Sequence, residues 1–265
     1  MAHKESALAG KIVTVIGGSG FVGRHLAQEL LARGARLRIA SRHPERAFSI
    51  KPLATLGNVQ LVRCDVTRPA SLAAAVTGAD AVVNLVGAFS GDLDALQGEG
   101  AGRIAAAASA AGASAFVQVS AIGADAESPA DYARTKAEGE AAVLAAFPAA
   151  TILRPSTLFG PDDNFMNMFA RLIAMFPALP VFGPQAKLQP LFVDDAAEAV
   201  AVALGDPGAH GGKIYEIGLA GSVTSGQYPG LKELGIAPRP LGLFLDRWMT
   251  QYRKHGRFGA KASVG

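Results

Sequence analysis

The sequence predicts an α/β protein built on a mostly parallel, doubly wound sheet, and three observations carry that expectation. Short apolar runs alternate with stretches of helical periodicity, the order that builds strand–helix–strand units with helices on both faces of a sheet. The first apolar run leads into three glycines at spacing three and then into a helix-forming stretch. Half of the 265 residues are hydrophobic and 18% are charged, which allows a full core and argues against disorder.

Strands are expected at Ile12–Ile16, Arg36–Ala40, Val59–Arg63, Ala81–Val86, Ala115–Val119, Thr151–Leu153, Leu191–Val193 and Ile214–Ile217. Between the early ones, helices are expected at Gly20–Arg33, Pro69–Val76, Leu93–Ala111 and Ala130–Ala146. Pro69 suits the first position of its helix, where no N–H is needed. After Gly218 the pattern turns irregular and rich in Gly, Ser and Pro, with one further helix at Leu241–Tyr252. The expected organisation is a domain over residues 1–218, with 155–190 contributing to a substrate pocket, and a short C-terminal region over 219–265.

The glycines stand where a dinucleotide site needs them. Gly17 lets the chain turn sharply, Gly20 removes a side chain that would block a diphosphate, and Gly23 lets the helix pack close. Phe21 and Val22 open that helix, whose unpaired N–H groups and positive dipole end face the phosphates. This is a Rossmann-type arrangement, whose ligands lie at the carboxyl ends of the strands. The second strand ends in Ser41-Arg42, with no carboxylate for a free ribose hydroxyl, and Arg42 is a planar, permanently charged donor suited to phosphate. NADP(H) is therefore favoured over NAD(H), against the alternative that Arg42 and Arg46 are solvated. Asp65, before Val66, either accepts from an adenine amino group or caps the next helix. In Leu85-Val86-Gly87 the small residue permits close backbone approach to the cofactor.

Chemistry is expected next. Ser120 closes the fifth strand, and Tyr132 and Lys136 share a helix face at spacing four. Making a phenol of pKa ~10 a proton donor and acceptor near pH ~7 requires about 4 kcal/mol. An ammonium ~4 Å away at an effective dielectric of ~20 supplies a contribution of that size. In this reading Tyr132 exchanges a proton with a substrate hydroxyl or carbonyl, Ser120 holds that oxygen, and Lys136 binds ribose and depresses the phenol pKa.

These residues resemble the short-chain dehydrogenase/reductase superfamily in its extended or atypical branch, over Lys11 to about Tyr252. Within it the chain is most similar to the group containing the nucleotide-binding accessory subunit of respiratory complex I and its bacterial relatives. Gly17 to Arg24, Val119 to Ala124, Tyr132 to Glu140 and Pro229 to Pro238 carry that likeness. The resemblance implies that the backbone of Leu153 to Pro161, with Pro155 and Ser156, lies by the nicotinamide, and that Gln189 to Ala197 is a late strand entering a helix. It implies NAD(P)-dependent oxidoreduction or epimerisation of a carbonyl/hydroxyl substrate or, alternatively, a non-catalytic NADPH-binding subunit of a respiratory assembly. The chain departs from the branch in a short Gly218–Tyr228 link where a longer cap is usual, which predicts a reduced, more open substrate region. The interval from Ser120 to Tyr132 is also short.

Two apolar stripes are ambiguous. Phe165, Met168, Phe169, Leu172, Ile173 and Phe176 recur at helical spacing, chiefly as expected for packing on the core, or else as the wall of a pocket for an apolar substrate such as an isoprenoid or quinone. Leu241, Phe244, Leu245, Trp248, Met249 and Tyr252 form a second stripe followed by basic residues, suited to docking on the chain's own domain or to a membrane surface or partner subunit. The net charge of +3 is too small to imply nucleic acid. One cysteine, Cys64, excludes an intramolecular disulfide and a cysteine-rich metal site. Residues 1–7 hold no signal-peptide pattern. The expectation is a cytoplasmic protein, peripheral at the inner face of a membrane if the terminal stripe docks there. The helices at Leu93–Ala111 and Ala130–Ala146 leave a homo-oligomer open.

Overall fold

The structure, a computed structural model, describes residues 6–176, 189–218 and 224–244. Its strands are β1 (Ile12–Ile16), β2 (Arg36–Ser41), β3 (Val59–Arg63), β4 (Ala81–Asn84), β5 (Ala115–Val119), β6 (Thr151–Pro155), β7 (Leu158–Phe159), β8 (Leu191–Phe192) and β9 (Ile214–Ile217). Its helices are α1 (Phe21–Ala32), α2 (Pro69–Val76), α3 (Glu99–Ala110), α4 (Asp131–Ala146), α5 (Phe165–Met175), α6 (Val193–Gly205) and α7 (Pro207–His210). Seven strands form one sheet in the order β3-β2-β1-β4-β5-β6-β9, every pairing parallel. β7 and β8 pair separately. The strand order reverses between β1 and β4, and a crevice opens at the carboxyl ends of such neighbours.

Both faces of the sheet are covered, as parallel sheets require. Val13 and Val15 of β1 pack with Leu26, Ala27 and Leu30 of α1 and with the alanine-rich face of α6. Ile16 faces the other way, with Leu72 of α2, Ile104 of α3 and Val143 of α4. Thr14 on that second face is fully buried and bonds the Ala75 carbonyl at 3.2 Å.

The expected early strands and helices are present, with instructive departures. β4 stops at Asn84, two residues early, because the Asn84 amide turns the chain by accepting from Val86 N–H at 2.9 Å and donating to Gln118 at 2.8 Å. The helix expected over Leu93–Ala111 is divided into a π-helical turn, Asp94–Gly98, and α3. Crowding against α4 accompanies that wider turn: a Cβ on Gly139 would stand 2.1 Å from the Gln97 carbonyl oxygen. A 3₁₀ helix at Pro44–Leu53 and the short β7 were not expected. β6 runs on to Pro155, and Val193 begins α6 instead of ending β8.

The expectation that the α5 stripe packs on the core is wrong. Met168, Phe169, Ile173 and Phe176 are exposed, and the buried residue of α5 is Asn167. Asn167 donates to the carbonyls of Pro161 and Asp163, while Asp163 accepts from Met166 N–H. Polar anchoring at the foot, rather than apolar burial, sets how this helix stands. Of the terminal stripe, Leu241 and Phe244 pack on the chain's own cluster around Phe159 and Phe192; Leu245, Trp248, Met249 and Tyr252 lie outside the described residues.

Candidate functional site

The glycine turn is built as its spacing requires. Gly17 has φ +79°, and a Cβ there would meet the Leu85–Val86 peptide at 3.1 Å. A Cβ on Gly23 would stand 2.2 Å from the Gly18 carbonyl oxygen, so α1 can start this close to the turn only without one. Gly20 differs, with nothing nearer than 3.9 Å to its would-be Cβ. Its lack of a side chain leaves space that the fold itself does not fill. Gly20 is also the N-cap of α1, where no side chain caps the helix and the first turn carries no acidic residue. The free N–H groups there can hold an anion.

A cavity of about 230 Å³ at the β1/β4 reversal is lined by Gly17, Gly20, Ser41, Arg42, Val66, Leu85, Val86 and Gly87, eight of the expected cofactor residues. Ser19, His43, Arg46, Cys64, Ala88 and Leu96 also line it and were not expected to. Arg46 is brought round by the 3₁₀ helix after β2, a turn that the sequence pattern did not reveal. Arg42 and Arg46 are exposed, and neither has an ion-pair partner among the described residues. Ser41 Oγ is buried with no hydrogen-bond partner. Burial raises the pKa of the Cys64 thiol, which suits a wall residue better than a nucleophile. Asp65 stands just outside, where one oxygen accepts from the Thr67 N–H and hydroxyl. Those two bonds, the largest causes, hold its carboxyl below the usual range, with nearby Arg68 and Arg42 assisting. It does not cap α2, whose N-cap is Arg68.

Lys136 and Ser120, two of the three residues expected to carry chemistry, stand at the adjoining strand ends. Lys136 is buried, and its Nζ donates to the carbonyls of Val86 at 3.3 Å and Val119 at 3.4 Å. A Cβ on Gly87 would lie 3.4 Å from that nitrogen, so this glycine makes room for the ammonium. Burial lowers the Lys136 pKa to about 8, partly opposed by Glu140 one turn on. Ser120, next to Val119, is buried with its hydroxyl unpartnered. Tyr132 stacks on Phe89, ring centroids 4.9 Å apart, and Phe89 is 86% exposed.

Burial raises the Tyr132 phenol above its ordinary value. This reverses the expectation that Lys136 depresses it. The ammonium, 5.9 Å from the ring centroid, is itself desolvated and bonded to backbone carbonyls. Gln97, from the π-helical turn, steadies the site by accepting from Ala88 N–H and donating to Thr135 of α4. No sequence signal marked it.

The remaining expected residues have contacts within the fold. Phe21 and Val22 pack around Phe159, Phe192 and Val193. Pro155 ends β6 opposite Ile217 and accepts from Ile122 N–H. The Ser156 hydroxyl donates to the Gln189 carbonyl at 2.6 Å. Behind α4 a buried cluster joins Glu140 to Arg154 at 2.7 Å, with Glu216 at 3.9 Å and the Tyr228 ring over the guanidinium.

The orphaned Ser41 hydroxyl, the uncapped α1 terminus and the space at Gly20 fit a dinucleotide. A family model described as NAD(P)H-binding matches residues 17–164, more than half of the chain. The chain belongs to this NAD(P)H-binding family. It is 35% identical to "NADH dehydrogenase [ubiquinone] 1 alpha subcomplex subunit 9, mitochondrial" of Arabidopsis thaliana, over 80% of this chain and 55% of that protein. It is 33% identical to a ceramide reductase of Caulobacter vibrioides, over 70% of this chain and 58% of that one. The chain thus spans little more than half the length of these curated relatives. Among solved structures, the Bordetella bronchiseptica enzyme WbmF in complex with NAD+ superposes with a TM-score of 0.68 at 18% identity, covering 82% of this chain and 76% of the other. That likeness is one of fold, and the fold is the epimerase-like, Rossmann-type one expected from the sequence. Among the described residues no helix is long and apolar enough to cross a membrane.

Proposed function

We propose that the protein is an NADP(H)-dependent oxidoreductase or epimerase acting on a carbonyl/hydroxyl substrate. The observation that carries this reading is the meeting of Lys136 with the ends of β4 and β5, beside the glycine-lined cavity and the unpartnered Ser120 hydroxyl. The amides of the Gly17–Gly23 turn hold the diphosphate, Ser41 takes a ribose oxygen, and Arg42 with Arg46 takes the 2′-phosphate. Bound nicotinamide supplies or accepts hydride. Ser120 holds the substrate oxygen by the hydrogen bond its buried hydroxyl otherwise lacks, and Tyr132 passes a proton to or from that oxygen. Lys136 keeps a third N–H beyond its two carbonyl contacts, available to hold a ribose hydroxyl. In this reading the nucleotide-binding domain is 1–218, with 155–190 assigned to the substrate side and 219–265 to a short C-terminal region; of these, 177–188, 219–223 and 245–265 lie outside the described residues.

The test is calorimetric titration with NADPH and NADH, followed by a turnover screen of carbonyl compounds with Tyr132→Phe as control. An established activity that survives Tyr132→Phe ends the catalytic assignment.

A second reading has a specific observation behind it, the 35% identity to a complex I subunit. Here the chain holds nucleotide without turnover and serves an assembly. Nucleotide that copurifies and does not exchange, together with copurifying partner subunits, favours this reading over the first.

A further inference from the structure

Two buried amides stand where the sheet itself has no need of them. On the face of β4 and β5 that packs with α3 and α4, Val82 lies opposite Phe116, an apolar pair. Further along the same face Asn84 lies opposite Gln118, and these residues are 0% and 2% exposed. Burying an amide costs free energy unless its polar groups find partners. A second apolar pair would fill the layer without that cost.

The amides form a chain of hydrogen bonds whose direction is forced. The Val86 N–H can only donate, so Asn84 must turn its Oδ1 toward it, at 2.9 Å. That leaves Asn84 Nδ2 to donate to Gln118 Oε1 at 2.8 Å, and Gln118 Nε2 to donate to the Val119 carbonyl at 3.3 Å. Each amide has one accepting and one donating end, so neither can turn over without losing its bonds on both sides. The chain runs from Val86 to Val119, the two residues whose carbonyls accept from Lys136 Nζ. Backbone pairing between β4 and β5 ends with Asn84 opposite Gln118. Beyond that point no ladder between these strands holds Val86 in register with Val119, and the side chains continue the register instead.

We propose that Asn84 and Gln118 are positioning residues for Lys136: their amide chain fixes the two carbonyls that hold the ammonium and so aims its third N–H. The inference rests on the proposed function for what that N–H meets, a ribose hydroxyl present in NADPH and NADH alike. Asn84 also serves the glycine turn, because the Leu85–Val86 peptide it holds is the one that a Cβ on Gly17 would meet. One buried pair thus ties the ammonium to the turn across two strand ends.

Gln118→Met keeps the length and bulk of the side chain and removes its amide. Without nucleotide, the Lys136 ammonium N–H signal in NMR, recognised by its absence from Lys136→Met, should exchange with solvent about tenfold faster in Gln118→Met than in wild type. Calorimetry then supplies a double-mutant cycle. Gln118→Met should weaken NADPH and NADH alike by about tenfold, the value of one hydrogen bond to a charged group, and should change neither in the Lys136→Met background. A loss that is merely structural recurs in both backgrounds. Where Gln118→Met does not fold, Asn84→Ser, which keeps an acceptor for the Val86 N–H, carries the same measurements. Unchanged ammonium exchange, or an affinity loss that is absent or that persists without Lys136, overturns the proposal. Faster exchange in a protein whose wild type binds neither nucleotide sustains the positioning and overturns the proposed function instead.

Discussion

The Lys136 ammonium donates to the Val86 carbonyl at 3.3 Å, fastening α4 to the chain just beyond β4, beside the glycine turn. The same burial that fixes this contact lowers the lysine pKa to about 8 from 10.5. An unfolded chain therefore binds more protons than the folded one between about pH 8 and pH 10.5, and in that window this lysine makes stability rise with pH. Below pH 8 both states are protonated, and the full cost of burying the charge is present. Lys136→Met should be the more stable protein at pH 7, by up to about 3 kcal/mol, with the gap closing as pH approaches 10.5. Urea unfolding of both proteins across that range checks the sign, and a gap that widens with pH contradicts it.

Gly20 and Gly23 should separate fold from binding. Gly23→Ala forces a Cβ to 2.2 Å from the Gly18 carbonyl and should cost several kcal/mol of stability, in the upper range for single substitutions. Gly20→Ala meets nothing within 3.9 Å, so its melting temperature should stay close to wild type while NADPH affinity falls at least tenfold. Thermal melts with and without nucleotide distinguish the two.

Arg42→Ala and Arg46→Ala should each weaken NADPH binding with little change for NADH. Loss of one charge-assisted hydrogen bond to phosphate is worth about 1.5–3 kcal/mol, or roughly ten- to a hundredfold. Equal loss for both nucleotides would show that the arginines do not read the 2′-phosphate.

Ser120→Ala removes a buried hydroxyl that has no partner among the described residues, so the fold should be unharmed or slightly stabilised. In the proposed enzyme, kcat should fall by tenfold or more. A fall in stability without loss of turnover would mean the hydroxyl serves the core.

Glu140→Ala leaves the Arg154 guanidinium, 12% exposed, with Glu216 at 3.9 Å as its remaining acidic neighbour. Breaking a buried pair in this way should cost about 3 kcal/mol. Glu140→Leu/Arg154→Met should recover part of the loss, because it removes both members of the pair while the Glu216 carboxylate keeps its bonds from Ser225. Denaturant unfolding of the single and double variants measures the coupling.

The sequence by itself determined the sheet, its helical layers and the anion-binding turn. Hydrophobic periodicity and glycine spacing are local properties, and in Ile12–Ile16 and Gly17–Gly23 local preference and global fold agree. It also brought Tyr132 and Lys136 to one helix face, since a spacing of four acts within a single helix. Tertiary structure decided what depends on neighbours distant in the chain. Packing of Gly139 against the Gln97 carbonyl goes with the π-helical turn that carries Gln97 to Ala88 and Thr135. The 3₁₀ helix after β2 brings Arg46 to the cavity. Burial turned the Tyr132 pKa upward, and the Asp163–Asn167 bonds turned the apolar side of α5 outward. Desolvation and burial depend on every residue that surrounds a group, and spacing along one stretch of chain does not record them.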